Sequence, residues 1–115
     1  MDARKITDRL SVTGQITAAD LPALAAQGYR TIICNRPDGE EPGQPPVAGI
    51  EAAARKLGLQ FRNLPVIPGL IKDPDARSFG QMVQDLPGPV LAYCRSGARC
   101  GALWAMAAAK MTGAN

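Results

Sequence analysis

Two segments, "YRTIICN" at residues 29–35 and "GPVLAYC" at 88–94, are apolar runs of strand length. A strand with one wet face alternates apolar and polar residues, whereas a strand that is apolar throughout must be covered on both faces. These runs therefore fit the interior of a mainly parallel sheet, and the chain must supply helices to cover it.

It does so in alternation. The segment "KITDRLSVTGQI" (5–16) has the mixed β-branched pattern of one or two short strands at a sheet edge, with Gly14 as a turn or bulge. Thr17 and Asp20 resemble a helix start, "ADLPALAAQ" (19–27) runs helically, and Gly28 ends it. After the first apolar run comes a Pro- and Gly-rich loop, "RPDGEEPGQPP" (36–46), and then an alanine-rich helix, "VAGIEAAARKLG" (47–58). "LQFRNLPV" (59–66) is a further strand and "IPGLIKDP" (67–74) a loop. Asp73 is expected to cap the next helix, with Pro74 opening it and "DARSFGQMVQDL" (75–86) continuing it. "CGALWAMAAAKM" (100–111) is a last helix ending near Gly113. The expected fold class is α/β, a mainly parallel sheet flanked by helices. At 115 residues, a single domain over 1–115 is expected.

Composition removes several function classes. The chain has no histidine, which excludes a Ser-His-Asp triad, a Cys-His dyad and a histidine-ligated zinc site supplied by this chain. Its three cysteines, Cys34, Cys94 and Cys100, form no Cys-x-x-Cys pair, so no metal and no cofactor is expected. A net charge of +3 carries no block of like charges and the aromatic residues are scattered, which argues for small anions as partners and against nucleic acid. The N-terminal segment "MDARKITDRL" has no apolar core of signal-peptide length, and no apolar run approaches the length of a membrane span. No membrane partner and a cytoplasmic location are expected.

In an open parallel sheet the loops that follow the strands gather at one edge, where ligands bind. Three loops should meet there: one with Arg36 and Asp38, one with Lys72, Asp73 and Asp75, and "CRSGAR" at 94–99. In the third, Cys94 stands where a strand stops and the turn leads into a helix N-terminus, where unpaired N–H groups and the helix dipole favour an anion. A thiolate there has a depressed pKa without any histidine, helped by Arg95 and Arg99. Gly97 lets the backbone approach a bound group closely. Cys34 reads as a small packing residue, Arg36 and Asp38 can simply pair in solvent, and Asp73 is equally a helix cap.

The segments "SVTGQITAADLPALAAQGYRTIICNRPDGEEPGQPP", "PVIPG" and "VLAYCRSGARCGALWAMA" closely resemble the bacterial phosphatase-like domain of beta-lactamase-hydrolase-like proteins. That resemblance implies a fold like the small dual-specificity protein tyrosine phosphatases. It implies Cys94 as nucleophile and Arg99 as loop arginine, and fusion or linkage to a persulfide dioxygenase or sulfide-oxidising enzyme. Members of the family are associated with both sulfur transfer and phosphatase activity. The phosphatase signature, His-Cys-x5-Arg-Ser/Thr, counts seven residues from Cys to Arg. Here there are six, a rhodanese-type length, with Tyr93 in place of the histidine and Cys100 in place of the hydroxyl.

The preferred expectation is therefore a sulfurtransferase. Cys94 takes sulfane sulfur from thiosulfate or a low-molecular-weight persulfide and passes it to a thiol acceptor, while Arg36, Arg95, Ser96, Gly97, Ala98 and Arg99 hold the anion. The alternatives are a cysteine-dependent phosphatase, with Asp38, Asp73 or Asp75 as general acid, and a non-catalytic anion-binding module. Cys100 is open to a resolving role toward Cys94 or to plain packing.

Overall fold

A computed structural model describes residues 3–111. Its elements are β1 (Arg4–Lys5), β2 (Leu10–Thr13), α1 (Leu21–Ala26), β3 (Thr31–Cys34), α2 (Val47–Lys56), β4 (Gln60–Asn63), α3 (Asp73–Asp85), β5 (Val90–Tyr93) and α4 (Ala98–Met111). The strands form one sheet in the order β1-β2-β5-β3-β4, antiparallel only between β1 and β2. The α/β class and the mainly parallel sheet follow directly from these pairings.

Both faces of the sheet are covered. Successive strand residues point to opposite sides. Ile33, Val90 and Ala92 therefore pack with Phe79 and Val83 of α3 and Leu103 of α4, all buried, while Ile32 and Leu91 pack with Leu21 and Leu24 of α1 and Ile50 and Ala54 of α2. This two-sided core is what leaves β3 and β5 buried at every position.

Three expectations need correction. The segment at 5–16 does not lie wholly at the edge: β1 is the edge strand, and β2 is interior, paired to β1 and β5 with all four residues buried. The first helix is shorter than its pattern. A single 3-10 turn, Ala18–Asp20, precedes α1, and the Asp20 carboxylate accepts the Thr17 N–H at 2.8 Å. Pro22 lacks an N–H, so regular bonding begins only around it. The third correction is that Asp73 does not cap α3. It is the helix's first residue, Lys72 holds the cap position, and the carboxylate that reaches back to the Lys72 N–H, at 3.4 Å, is that of Asp75. The proposed helix end at Gly113 lies outside the described residues.

The parallel strands bring their following loops to one edge, and backbone hydrogen bonds stitch those loops together. The Asn35 N–H donates to the Tyr93 carbonyl at 2.8 Å, the Leu64 N–H to the Cys34 carbonyl at 2.8 Å, and the Val66 N–H to the Asn35 carbonyl at 3.0 Å. Three separate crossings thus become one floor under the site.

Candidate functional site

The turn from β5 into α4 wraps the sulfur of Cys94. Gly97 donates its N–H to that sulfur at 3.1 Å, and the backbone N–H groups of Cys100, Ser96 and Arg99 also face it. Because α4 begins at Ala98, Arg99 and Cys100 lie in its first turn, where N–H groups have no partner inside the helix. The Cys100 thiol donates to Cys94 as well, and this bond is the largest single influence on it. Burial opposes it, yet the Cys94 thiol is brought down to about 5 from its ordinary 9.0. The same contact, with burial, pushes Cys100 far upward, so near neutral pH Cys100 keeps its proton as donor and Cys94 is a thiolate. All three cysteines are free and buried.

Two glycines allow the turn to close. Gly97 has φ of +93°, and a Cβ there would lie 3.4 Å from the Thr13 carbonyl group at the end of β2. A Cβ on Gly14 would come within 2.9 Å of the Arg95 carbonyl oxygen, which accepts the Gln15 N–H. Gly14 is thus neither turn nor bulge in the sense expected: it lets the end of β2 lie against the Cys94 loop.

Arg99 has its guanidinium fixed by Glu40, which accepts from Nη1 at 2.7 Å and from Nη2 at 2.8 Å, and by the Val66 carbonyl, which accepts from Nη1 at 3.0 Å. Arg36 is nearly fully buried, and its donors serve Glu40 at 2.8 Å, Glu41 at 2.9 Å and Gln15 at 3.0 Å. Arg36, expected to hold substrate, gives three of its N–H donors to these side chains, which brace the loop after β3, and it also lines the cleft. Two arginines hold the Glu40 carboxyl down at about 2, Arg99 having the larger effect. Arg95 differs from both, with a mostly exposed side chain and a loose contact of 3.7 Å to Glu41. Ser96 and Ala98 are exposed on the loop, and the Ser96 hydroxyl accepts the Ala98 N–H at 3.3 Å.

A cleft of about 420 Å³ opens beside the loop, lined by Arg36, Glu40, Glu41, Pro68, Arg95 and Arg99. The three aspartates considered as acids have other partners. Asp38 accepts the Val47 N–H at the start of α2 at 2.9 Å, Asp75 caps α3, and Asp73 pairs with Lys110 at 3.3 Å. Lys110 stands about 18 Å along α4 from Ala98 at 1.5 Å per residue, which draws Asp73 away from the Cys94 loop. The carboxylates that the structure does bring to the cleft are Glu40 and Glu41, and of the two it is Glu40 that holds Arg99. Sequence reading passed over Glu40, although its spacing of four from Arg36 in "RPDGE" was a visible signal. Among the described residues no group of three or more His, Cys, Asp or Glu side chains gathers as a metal site requires, and no helix is long and apolar enough to cross a membrane.

A family model for the phosphatase-like domain of beta-lactamase hydrolase-like proteins matches residues 2–111. Curated relatives are the beta-lactamase hydrolase-like proteins of Agrobacterium fabrum, 42% identical over 92% of this chain and 25% of that protein, and of Xylella fastidiosa, 41% identical over 88% and 23%. The chain thus spans about a quarter of the length of the curated relatives it matches. Among solved structures, a Neisseria meningitidis protein provisionally named a phosphatase superposes with a TM-score of 0.83 at 41% identity, covering 88% of this chain and 72% of that one. Pseudomonas aeruginosa TpbA with phosphotyrosine bound superposes with a TM-score of 0.67 at 19% identity, over 96% and 70%. The second likeness is one of fold alone, that of a protein tyrosine phosphatase. A match along almost the whole chain, two curated relatives above 40% identity and the thiolate-wrapping turn agree with one another, and the chain belongs to the phosphatase-like domain family of beta-lactamase hydrolase-like proteins.

Proposed function

We propose that this domain is a cysteine-dependent phosphatase in which Cys94 attacks phosphorus and carries a phosphocysteine. The observation that carries this reading is the Cys94 thiolate at the bottom of a ring of backbone N–H groups, with Arg99 on the same turn. A thiolate is the reactive form of cysteine, and the N–H groups that hold it are aimed where phosphoryl oxygens must sit. Glu40 occupies one edge of the Arg99 guanidinium, and no hydrogen bond among the described residues engages the Nε–H, which leaves the other edge for oxyanions. Family and fold support this reading over sulfur transfer, which was the preferred expectation.

Sulfur transfer remains as a second reading on one observation, the six-residue spacing from Cys94 to Arg99. In that reading the partners are thiosulfate or a persulfide, a thiol acceptor, and a fused or separate persulfide dioxygenase or sulfide-oxidising enzyme. The two are separated by assaying the protein on 4-nitrophenyl phosphate and on thiosulfate with cyanide, and by trapping the covalent intermediate for mass spectrometry. Phosphate on Cys94 is the expected result. A persulfide on Cys94 with no phosphate turnover would reverse the order of the readings, and activity on neither substrate would leave an anion-binding module.

A further inference from the structure

The loop between β4 and α3 carries large apolar side chains in the open. Ile67 is 55% exposed and Leu70 62%, three residues apart, and Pro68 between them lines the cleft. The Leu70 N–H donates to the Ile67 carbonyl at 3.0 Å, with Pro68 and Gly69 between them and Gly69 at φ of +77°. This is the pattern of a type II turn, whose backbone is set before any ligand arrives. Its stem is fastened to the site: Val66, one residue earlier, accepts from Arg99 through its carbonyl and donates its N–H to Asn35. The turn therefore holds two exposed apolar side chains at a fixed place relative to the loop arginine.

The second observation concerns protons. Glu40 sits between two arginines, Glu41 pairs with Arg36 at 2.9 Å, Asp38 and Asp75 bond helix N–H groups, and Asp73 pairs with Lys110. Each carboxylate that sequence or structure offers as an acid is already held in its ionised form or turned to other work. A leaving group here must depart without a proton from the protein, which limits the site to groups that are stable as anions.

On the phosphatase reading, we propose that the Ile67–Leu70 turn is the substrate-selecting surface of the site and that the substrates are phosphate monoesters of apolar phenols. The aromatic ring rests against Ile67, Pro68 and Leu70 while the phosphate enters the Cys94 loop. The Cys94 sulfur forms a bond to phosphorus, the ester P–O bond breaks, and its electron pair leaves on the phenolate, which solvent protonates. Water then attacks the phosphocysteine, releasing phosphate and restoring the thiolate to its Cys100 hydrogen bond.

The test measures kcat/KM on 4-nitrophenyl phosphate, phenyl phosphate and a primary alkyl phosphate, for the parent and for an Ile67→Ser, Leu70→Ser double variant. Without a general acid, kcat/KM should fall about 100-fold or more from the first ester to the second, with the alkyl ester slower still. The double variant should raise KM for the aryl esters about tenfold, with kcat and vanadate inhibition little changed. Both changed residues are exposed, so a thermal melt should match the parent. Equal kcat/KM across the three esters, or an unchanged aryl KM in the variant, would overturn the inference while leaving the phosphatase reading intact. No turnover of any ester, with no inhibition by vanadate and no phosphocysteine, would overturn both.

Discussion

Cys34 and Cys94 lie one strand apart at the same edge of the sheet, since Cys34 of β3 is in register with Tyr93 of β5. They are equally buried, at 2% and 1% exposure, yet their acidities move in opposite directions. Burial raises both; at Cys34 it outweighs Tyr93 and the Arg36 backbone, which pull the thiol down, whereas at Cys94 the Cys100 thiol and the backbone N–H groups of the turn outweigh it. Cys34 donates its own proton to the Arg36 carbonyl at 3.3 Å, a bond that only the neutral thiol can make. Cys94 receives a thiol proton and several backbone N–H groups, bonds that favour the anion. In one case the chain presents a carbonyl to the sulfur, in the other a helix start. Depth in the protein does not decide reactivity here.

The contrast breaks most sharply in paired serine variants. Cys94→Ser should lower phosphatase turnover at least about a thousandfold, while Cys34→Ser leaves it within about twofold. Ultraviolet thiolate absorbance should show one thiolate forming with a midpoint near the value of about 5 given for Cys94. That signal should vanish in Cys94→Ser and persist in Cys34→Ser. Loss of the acidic thiolate in Cys34→Ser instead would mean that the two sulfurs have been assigned the wrong way round.

A smaller effect tests the loop that supplies Cys34 with its acceptor. Glu40 ties Arg36 to Arg99, and its folded pKa of about 2 lies below the ordinary 4.5. A depressed carboxylate contributes stability that is complete above about pH 4.5 and is lost as pH falls toward 2. Glu40→Gln should cost about 2 kcal/mol at neutral pH, within the range for charged hydrogen bonds to a carboxylate that keeps some solvent contact. Denaturant melts of parent and variant should converge as pH falls through that window. A constant gap at every pH would mean that the carboxylate charge is not what holds the loop.

The smallest change concerns Cys100. Cys100→Ala should raise the Cys94 midpoint by about one unit, and Cys100→Ser should recover most of that by donating a hydroxyl in place of the thiol. We also expect mild peroxide to give a Cys94–Cys100 disulfide that excludes Cys34, read by non-reducing mass spectrometry. A Cys34–Cys94 bond would make the nearer partner the other neighbour, and no bond at all would leave Cys100 as donor and packing residue.

Much of the fold was legible because β3 and β5 sit in long, mostly apolar runs and helical patterns separate them. β2 was not, since "LSVT" mixes Ser11 and Thr13 with apolar residues, and its interior place depends on ladders to strands far along the chain. The Cys94 turn was legible because nucleophile, glycine, arginine and helix start are contiguous. The Glu40–Arg99 pair was not, because its members are 59 residues apart, and only the spacing of Glu40 to Arg36 could be seen. The roles of the aspartates were misjudged for a related reason: sequence places a carboxylate on a loop but does not say which N–H or lysine will claim it first.

β5 runs down the middle of the sheet, with β2 on one side and β3 on the other. Amides of such a strand bond alternately to one neighbour and the other, so exposing the whole strand to solvent deuterium requires both ladders to open, close to global unfolding, whereas β1 and β4 at the rims can fray alone. The segment that delivers the nucleophile should thus be the slowest-exchanging part of the chain. The Ile67–Leu70 turn is held by few backbone bonds and should exchange quickly. Deuterium uptake would then divide this edge of the sheet into a protected half that holds Cys94 and a half whose backbone, though set by the turn, is open to solvent.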